Sequence, residues 1–247
     1  MTLERVQRVY ETLGKEDPLW AVLTDDRFRG NKWDPSEFFA TGQAEIASVM
    51  TELAAQHIDV ERNAALDFGC GVGRLTQALC EHFESVVGID ISASMVAGAE
   101  TWNRHADRCH YLVNTTDDIP VLASASLDFI YSSISLQHSP PRCQRNYLRE
   151  FMRLLKPGAA AVFQVRIGPH RRDGSPSERW YRLRSETLRP LWKRLRGRPP
   201  VQLHTISEKD VRETIADAGG EVLASVDADA SRRSSRKSVR FTVRKLR

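Results

Sequence analysis

The chain has 247 residues, 41% of them hydrophobic and 28% charged, with a formal net charge of +4. That balance suits a soluble protein with one core rather than two, and no apolar window of about 18 residues is present to cross a membrane. Four cysteines without a C-x-x-C pair (Cys70, Cys80, Cys109, Cys143) and seven histidines without an H-x-x-x-H or H-E-x-x-H cluster argue against a zinc site or a disulfide framework, so free thiols and no metal are expected.

The N-terminal stretch MTLERVQRVYETLGKED is charged and helix-like and lacks the apolar core and small-residue cleavage site of a secretory signal, so a cytoplasmic location is expected. Residues 1–24 read as one or two short amphipathic helices. Residues 36–57 read as a longer one, with Asp34 or Ser36 as N-cap and Pro35 near its first turn. Within it, FFATG (38–42) is either a lid segment or core packing. The period then changes. AALDF (64–68), SVVGID (85–90), CHYLVN (109–114), LDFIYS (127–132) and AAAVFQV (159–165) are short apolar or β-branched runs. Helical patterns lie between them near 73–83, 92–105 and 141–155, the last with Lys156-Pro157-Gly158 as its stop. Regular alternation of strand and helix predicts an α/β fold with a mostly parallel sheet covered on both faces.

Residues 166–200 interrupt the alternation with ten Arg and one Lys against three acids, and residues 231–247 carry eight basic residues and no acid. The remainder of the chain is therefore net acidic. A capped helix at 207–220 resumes the order, with Ser207 and Asp210 as a capping box and Gly219-Gly220 as the stop. The end reads as a hairpin of GEVLASVDA against SVRFTVRKL. One domain is expected: N-terminal helices over 1–58, a ligand-binding core over 59–165, a basic insertion over 166–206, and a C-terminal helix and hairpin over 207–247.

The densest signal is LDFGCGVGRLT (66–76), a strand end, a glycine turn and a helix start near Arg74. Glycines there let backbone approach a ligand closely at a switch point of the sheet. Gly69-x-Gly71-x-Gly73 is not the longer G-x-G-x-x-G of dinucleotide enzymes, and no Gly-Lys-Ser/Thr follows to make a Walker loop. Asp90 ends the next strand run, where a carboxylate can accept both hydroxyls of a ribose. The ligand reads as a nucleoside.

Five motifs in this order resemble the class I S-adenosylmethionine-dependent methyltransferases of the small-molecule type: LDFGCGVGRLT, VVGIDIS, YLVNTTDDIP, LDFIYSSISLQH and EFMRLLKPGAAAVFQV. The resemblance implies a Rossmann-like, seven-stranded, mostly parallel sheet with an antiparallel last strand and helices on both faces. It implies S-adenosyl-L-methionine as cofactor, with S-adenosyl-L-homocysteine as product. By the same resemblance Asp67 and the backbone of Gly69, Cys70 and Gly71 hold the methionine part of the donor, with Arg74 opening the helix beside them, and Asp90 holds the ribose. Ile91 and Met95 flank the adenine, Met95 being alternatively a core residue. Where the family commonly has an aspartate for the adenine amino group this chain has Thr115, so Asn114, Thr115 and Thr116 are the candidates there. Ser133 and the residues after it lead to the methyl, with Gln137 and His138 as candidate catalytic residues. His138 is then either a base, since an unperturbed imidazole titrates near 6.5, or a residue that orients the cofactor.

The expected reaction is methylation of an oxygen or nitrogen on a polar or glycan-like small molecule. In the basic insertion Trp180, Leu183, Leu188, Leu191, Trp192 and Leu195 form a helical stripe among arginines. Such a cap suits an acidic or phosphorylated acceptor, or an acyl chain at an anionic membrane surface; a solvated charged face is the alternative. A nucleic-acid methyltransferase is disfavoured, because Arg142 stands where Ser139-Pro140-Pro141 would need an aromatic to stack on a flipped base. A non-enzymatic scaffold of the same fold is the other rival.

Overall fold

The computed structural model describes residues 2–168, 176, 180, 202–228 and 237–246. The charged N-terminal segment forms α1 (Leu3–Glu16) and α2 (Pro18–Val22), the second opened by a proline where the missing N–H costs nothing. Asp34 caps α3 (Pro35–Ala55), accepting from the amides of Ser36 at 2.9 Å and Glu37 at 3.1 Å.

After α3 the apolar runs become strands: β1 (Ala64–Phe68), β2 (Ser85–Asp90), β3 (Cys109–Val113), β4 (Leu127–Ser132) and β5 (Leu155–Arg166). Between them lie α4 (Arg74–Leu79), α5 (Ala93–Thr101) and α6 (Pro141–Leu154), and after them α7 (Glu208–Asp217), β6 (Gly220–Asp227) and β7 (Ser238–Lys245). The sheet order is β3-β2-β1-β4-β5-β7-β6, with β7 antiparallel to both neighbours and the rest parallel. This is the seven-stranded arrangement expected. Every residue of β4 is buried, as a central parallel strand covered on two faces requires. One core layer packs Leu148, Phe151 and Ile215 of α6 and α7 on the sheet, and the other packs Ile46, Val49 and Leu79 of α3 and α4. Among the described residues no helix is long and apolar enough to cross a membrane.

One local expectation is corrected, and one of two open readings is favoured. Lys156-Pro157-Gly158 does not stop α6 but lies within β5. Leu127 pairs with Leu155 and Phe129 with Ala160, so the tripeptide bulges out of the ladder with Gly158 at φ +83°. Lys156 fixes the bulge by a 2.7 Å ion pair to buried Asp128, whose other oxygen accepts from the Ala64 amide at 2.8 Å. FFATG is core and not a lid. Phe38 and Phe39 pack with Leu19, Val72 and Met95, and a Cβ on Gly42 would stand 2.3 Å from the Arg74 carbonyl oxygen where α3 crosses α4. The capping box at Ser207 forms as expected, Ser207 Oγ accepting from the Asp210 amide at 3.0 Å. Of the predicted Arg-rich stripe only Trp180 is described, and it is exposed. The rest of that cap, at 181–201, and the hairpin loop at 229–236 lie outside the described residues.

Because Phe38 is fully buried, Phe38→Ala is expected to cost about 3–5 kcal/mol of stability, read from urea unfolding. Ligand affinity of the folded fraction should be unchanged, whereas a lid residue would show the opposite pattern.

Candidate active site

The strand order reverses between β1 and β4, so the loops leaving these two strands diverge and open a crevice at their C-terminal ends. The cleft there spans about 760 Å³ with the open solvent at its mouth included. Gly69, Gly71, Asp90 and Ile91 form one wall, and Ser133, Ile134 and His138 the other. Val6 and Tyr10 of α1 with Ala21 and Val22 of α2 close over them.

The glycine turn is held by its own strand neighbours. Gly69, Gly71 and Gly73 have φ of +79°, +54° and +84°, a region where a Cβ is penalised. Space forbids one as well. A Cβ on Gly69 would meet Ser135 Oγ, on Gly71 Val22 Cγ2 at 2.6 Å, and on Gly73 the Tyr111 hydroxyl at 2.3 Å. The amides of Gly69 and Cys70 both donate to the Ile89 carbonyl, at 2.7 and 3.0 Å, and that of Gly71 donates to Asp90 Oδ2 at 2.9 Å. A phosphate needs free N–H groups at such a turn. Here all three point into the protein, which is the physical reason the short glycine spacing does not make a phosphate cradle.

Asp90 is the charged group of the cleft lining. Its Oδ1 accepts from the Ser92 amide at 2.9 Å while Oδ2 holds Gly71. Burial raises its pKa above the ordinary carboxylate value, and these backbone hydrogen bonds pull the other way. Asn114 is fixed beside it: its amide donates to the Asp90 carbonyl at 2.9 Å, and its Nδ2 donates to the carbonyls of Thr116 and Asp118. Met95 both lines the cleft and belongs to the core under α2 and α3, so the two readings of that residue coexist.

Six candidates lie off the cleft. Asp67 is 1% exposed and turned toward α4, where Thr76 Oγ1 donates to its Oδ2 at 2.6 Å. Burial, the largest effect on it, raises its pKa to about 7. Arg74 is buried in an ion pair with Glu45 at 2.7 Å under α3. The Cys70 side chain packs into the sheet core, and Gln137 is buried with its carbonyl accepting from the His204 amide at 2.7 Å. Thr115 and Thr116 are exposed on the loop after β3.

His138 is in the cleft, but not as the sequence suggested. Burial, with His204 and Arg166 nearby, lowers its pKa to about 4. The ring is therefore neutral near pH 7 and weakly basic, and its Nδ1 has no hydrogen-bond partner among the described residues. Its neighbour is Tyr10, ring centroids 5.3 Å apart and edge to face. Tyr10 and Val6 were not foreseen as site residues. Their spacing on one face of an amphipathic α1 signalled burial, and nothing local signalled against what. Ile134, a β-branched residue at φ +60°, is a strained position in the opposite wall.

Residues 65–158 match the family model described as "Methyltransferase domain". Over this stretch the chain is similar to a methyltransferase domain. The stretch that matches runs from β1 into the β5 bulge and so takes in the glycine turn, Asp90 and His138. The chain is 31% identical over 122 residues to a ubiquinone biosynthesis O-methyltransferase of Coxiella burnetii, covering 49% of this chain and 50% of that protein. It is 40% identical over 101 residues to 24-methylenesterol C-methyltransferase 2 of Oryza sativa subsp. japonica, covering 39% and 27%. The chain thus spans about half or less of the length of these curated relatives. Its fold is similar to that of magnesium protoporphyrin IX methyltransferase from Synechocystis PCC 6803, solved with bound SAH, at TM-score 0.63 and 18% identity over 98% of this chain and 99% of that one. Geranyl diphosphate C-methyltransferase from Streptomyces coelicolor A3(2) gives 0.61 and 17%, over 99% and 97%.

The low pKa of His138 has a stability consequence. The unfolded chain takes up the proton near 6.5 and the folded one near 4, so this contribution is intact above 6.5 and lost as pH falls toward 4. NMR should show one imidazole titrating near pH 4, and His138→Gln should flatten the fall of unfolding free energy between pH 6.5 and 4.

Proposed function

We propose that the protein binds S-adenosyl-L-methionine in this cleft, releases S-adenosyl-L-homocysteine, and methylates an oxygen or nitrogen of a small molecule. The observation that carries the reading is Asp90, a carboxylate at the tip of β2 beside a glycine turn whose amides are all engaged. That pairing offers an acceptor for ribose hydroxyls and nothing for a pyrophosphate. Asn114 and Ile91 border the adenine end and Met95 packs against it, while Gly69 and Gly71 give the methionine end bare backbone to lie on. Asp67, Cys70 and Arg74 act behind this surface, holding the turn and α4 in place rather than touching the donor.

The donor supplies an electrophilic methyl carbon open to in-line attack, and positioning provides most of the rate in such a step. Ser133, Tyr10 and His138 stand on the acceptor side. A neutral imidazole of low basicity is suited to accept a hydrogen bond from the acceptor's O–H or N–H and aim its lone pair, more than to remove the proton outright. This weighs against His138 as a base and gives it an orienting role, on the acceptor rather than on the cofactor. Val6, Tyr10 and Ile134 make the surrounding wall apolar or aromatic, which favours an acceptor polar at its reacting atom and apolar around it, less glycan-like than the sequence suggests. Whether that acceptor also bears an acidic or phosphate group rests on the arginines of 169–200. Pro141 is the first residue of α6, so Ser139-Pro140-Pro141 serves a helix start, which weighs against the nucleic-acid reading.

Calorimetry is expected to show S-adenosyl-L-methionine binding to the parent and a loss of roughly ten- to a hundredfold in affinity for Asp90→Ala, the effect of one or two hydrogen bonds to a charged acceptor. Equal binding by the variant removes the site assignment. Transfer of a radiolabelled methyl across a panel of phenols, amines, carboxylates and sugars then identifies the acceptor class.

A further inference from the structure

Glu11 lies on α1, one residue from Tyr10, yet it points away from the cleft. Its Oε2 accepts from the Ser94 amide at 3.0 Å and from Ser92 Oγ at 3.0 Å. Ser94 Oγ returns a bond to the Glu11 carbonyl at 3.1 Å. Ser92 is the N-cap of α5, and its own amide holds Asp90 Oδ1. A side chain more than eighty residues upstream thus satisfies one of the open amides at the start of α5, the helix that follows Asp90. α1 comes close enough to do this because residue 14 is glycine: a Cβ there would stand 2.4 Å from Ser94 Oγ and 3.3 Å from the Met95 side chain and amide. The outward side of Glu11 pairs with Lys15 at 3.0 Å across an exposed turn.

We infer that Glu11 is a positioning residue: it latches α1 onto the Ser92–Ser94 turn, so that Val6 and Tyr10 close over the same ligand that Asp90 holds. The inference rests on the donor site proposed above. With the latch made, movement of α1 and movement of the Asp90 turn are one event, and the ligand leaves only when both have shifted. The strong hydrogen bonding from Ser94 and Lys15 lowers the Glu11 pKa to about 2, so the latch is charged and closed throughout the physiological range.

The test compares parent, Glu11→Ala, Glu11→Gln, Lys15→Ala and Gly14→Ala. Hydrogen exchange of residues 3–16 in the ligand-free protein and stopped-flow release of S-adenosyl-L-homocysteine are the readouts. Glu11→Ala should exchange α1 amides at least about tenfold faster, release the product about tenfold faster and raise the donor KM in proportion, with the acceptor KM little moved, as loss of hydrogen bonds to a charged acceptor implies. Glu11→Gln keeps both acceptor contacts and should recover most of the parent behaviour. Lys15→Ala should match the parent. Gly14→Ala improves helix propensity and leaves the carboxylate in place, but crowds Ser94; it should release product faster, which keeps the idea testable if Glu11→Ala does not fold. Parent-like exchange and release in Glu11→Ala, or Glu11→Gln as impaired as Glu11→Ala, overturns the latch. If the parent binds no donor at all, the proposed function fails, while the exchange data still decide whether the latch exists.

Discussion

One carboxylate joined to two amides organises the ligand-binding end of this protein. Asp90 bonds Gly71 on the turn after β1 and Ser92 at the start of α5, each at 2.9 Å. The two segments leave different strands, and Asp90 extends past the strand ends the tie that the Gly69 and Cys70 amides make to the Ile89 carbonyl. Enclosing an ionised group is costly, and the raised pKa records that cost. Two charge-assisted hydrogen bonds from backbone offset part of it. Asp90 also lines the cleft, and on the proposed reading its remaining acceptor capacity takes the hydroxyls of the ligand.

The other features of the site follow from keeping that bridge in register. For Gly71 to present its amide to Asp90 the turn must pass through the left-handed region three times within five residues. Its outer surface must also be bare enough for Val22, Ser135 and Tyr111 to pack against it. The N-terminal helices then form a third layer: Leu19, Ala21 and Phe38 share a core with Val72 of the turn and Met95 of α5. The segment before the first strand is therefore part of the cleft wall and is anchored to both of the pieces that Asp90 joins.

How much of this could be read beforehand divides by the range of the interaction. Strand order, the glycine turn, Asp90 and the helix caps at Asp34 and Ser207 are local, and the sequence displays them. Lys156-Pro157-Gly158 reads as a helix stop because Pro and Gly usually end helices. The ion pair to Asp128, a residue on the neighbouring strand, is what turns the tripeptide into a bulge instead. FFATG, two aromatics and a glycine before the first strand, reads equally as a lid or as core, and its glycine is there for the close crossing of α3 over the Arg74 carbonyl. Asp67 looks like a ligand residue from its place before the turn, and only Thr76 on the following helix turns it inward. Tyr10 and Glu11 face targets more than eighty residues away, and no spacing within the chain announces such partners.

The loop after β4 shows why the histidine is held as it is. Ile134 is kept in a conformation worth about 1–3 kcal/mol of strain for a residue of its type. The chain is pinned on either side of it. Ser132 Oγ donates to the Phe68 carbonyl at 3.0 Å on one side, and Leu136 is fully buried with the Gln137 carbonyl bound by His204 on the other. The loop so held leads directly into His138, whose amide donates to the Ser135 carbonyl at 3.0 Å, and burial strips water from the ring and lowers its pKa. Lower basicity looks like a loss for a catalytic histidine. Beside a sulfonium donor it is an advantage, because an imidazolium would repel the charge that the cleft has to hold, and a neutral ring does not. On the proposed reading the burial that makes His138 a poor base is what allows it to stand next to the transferring methyl at all.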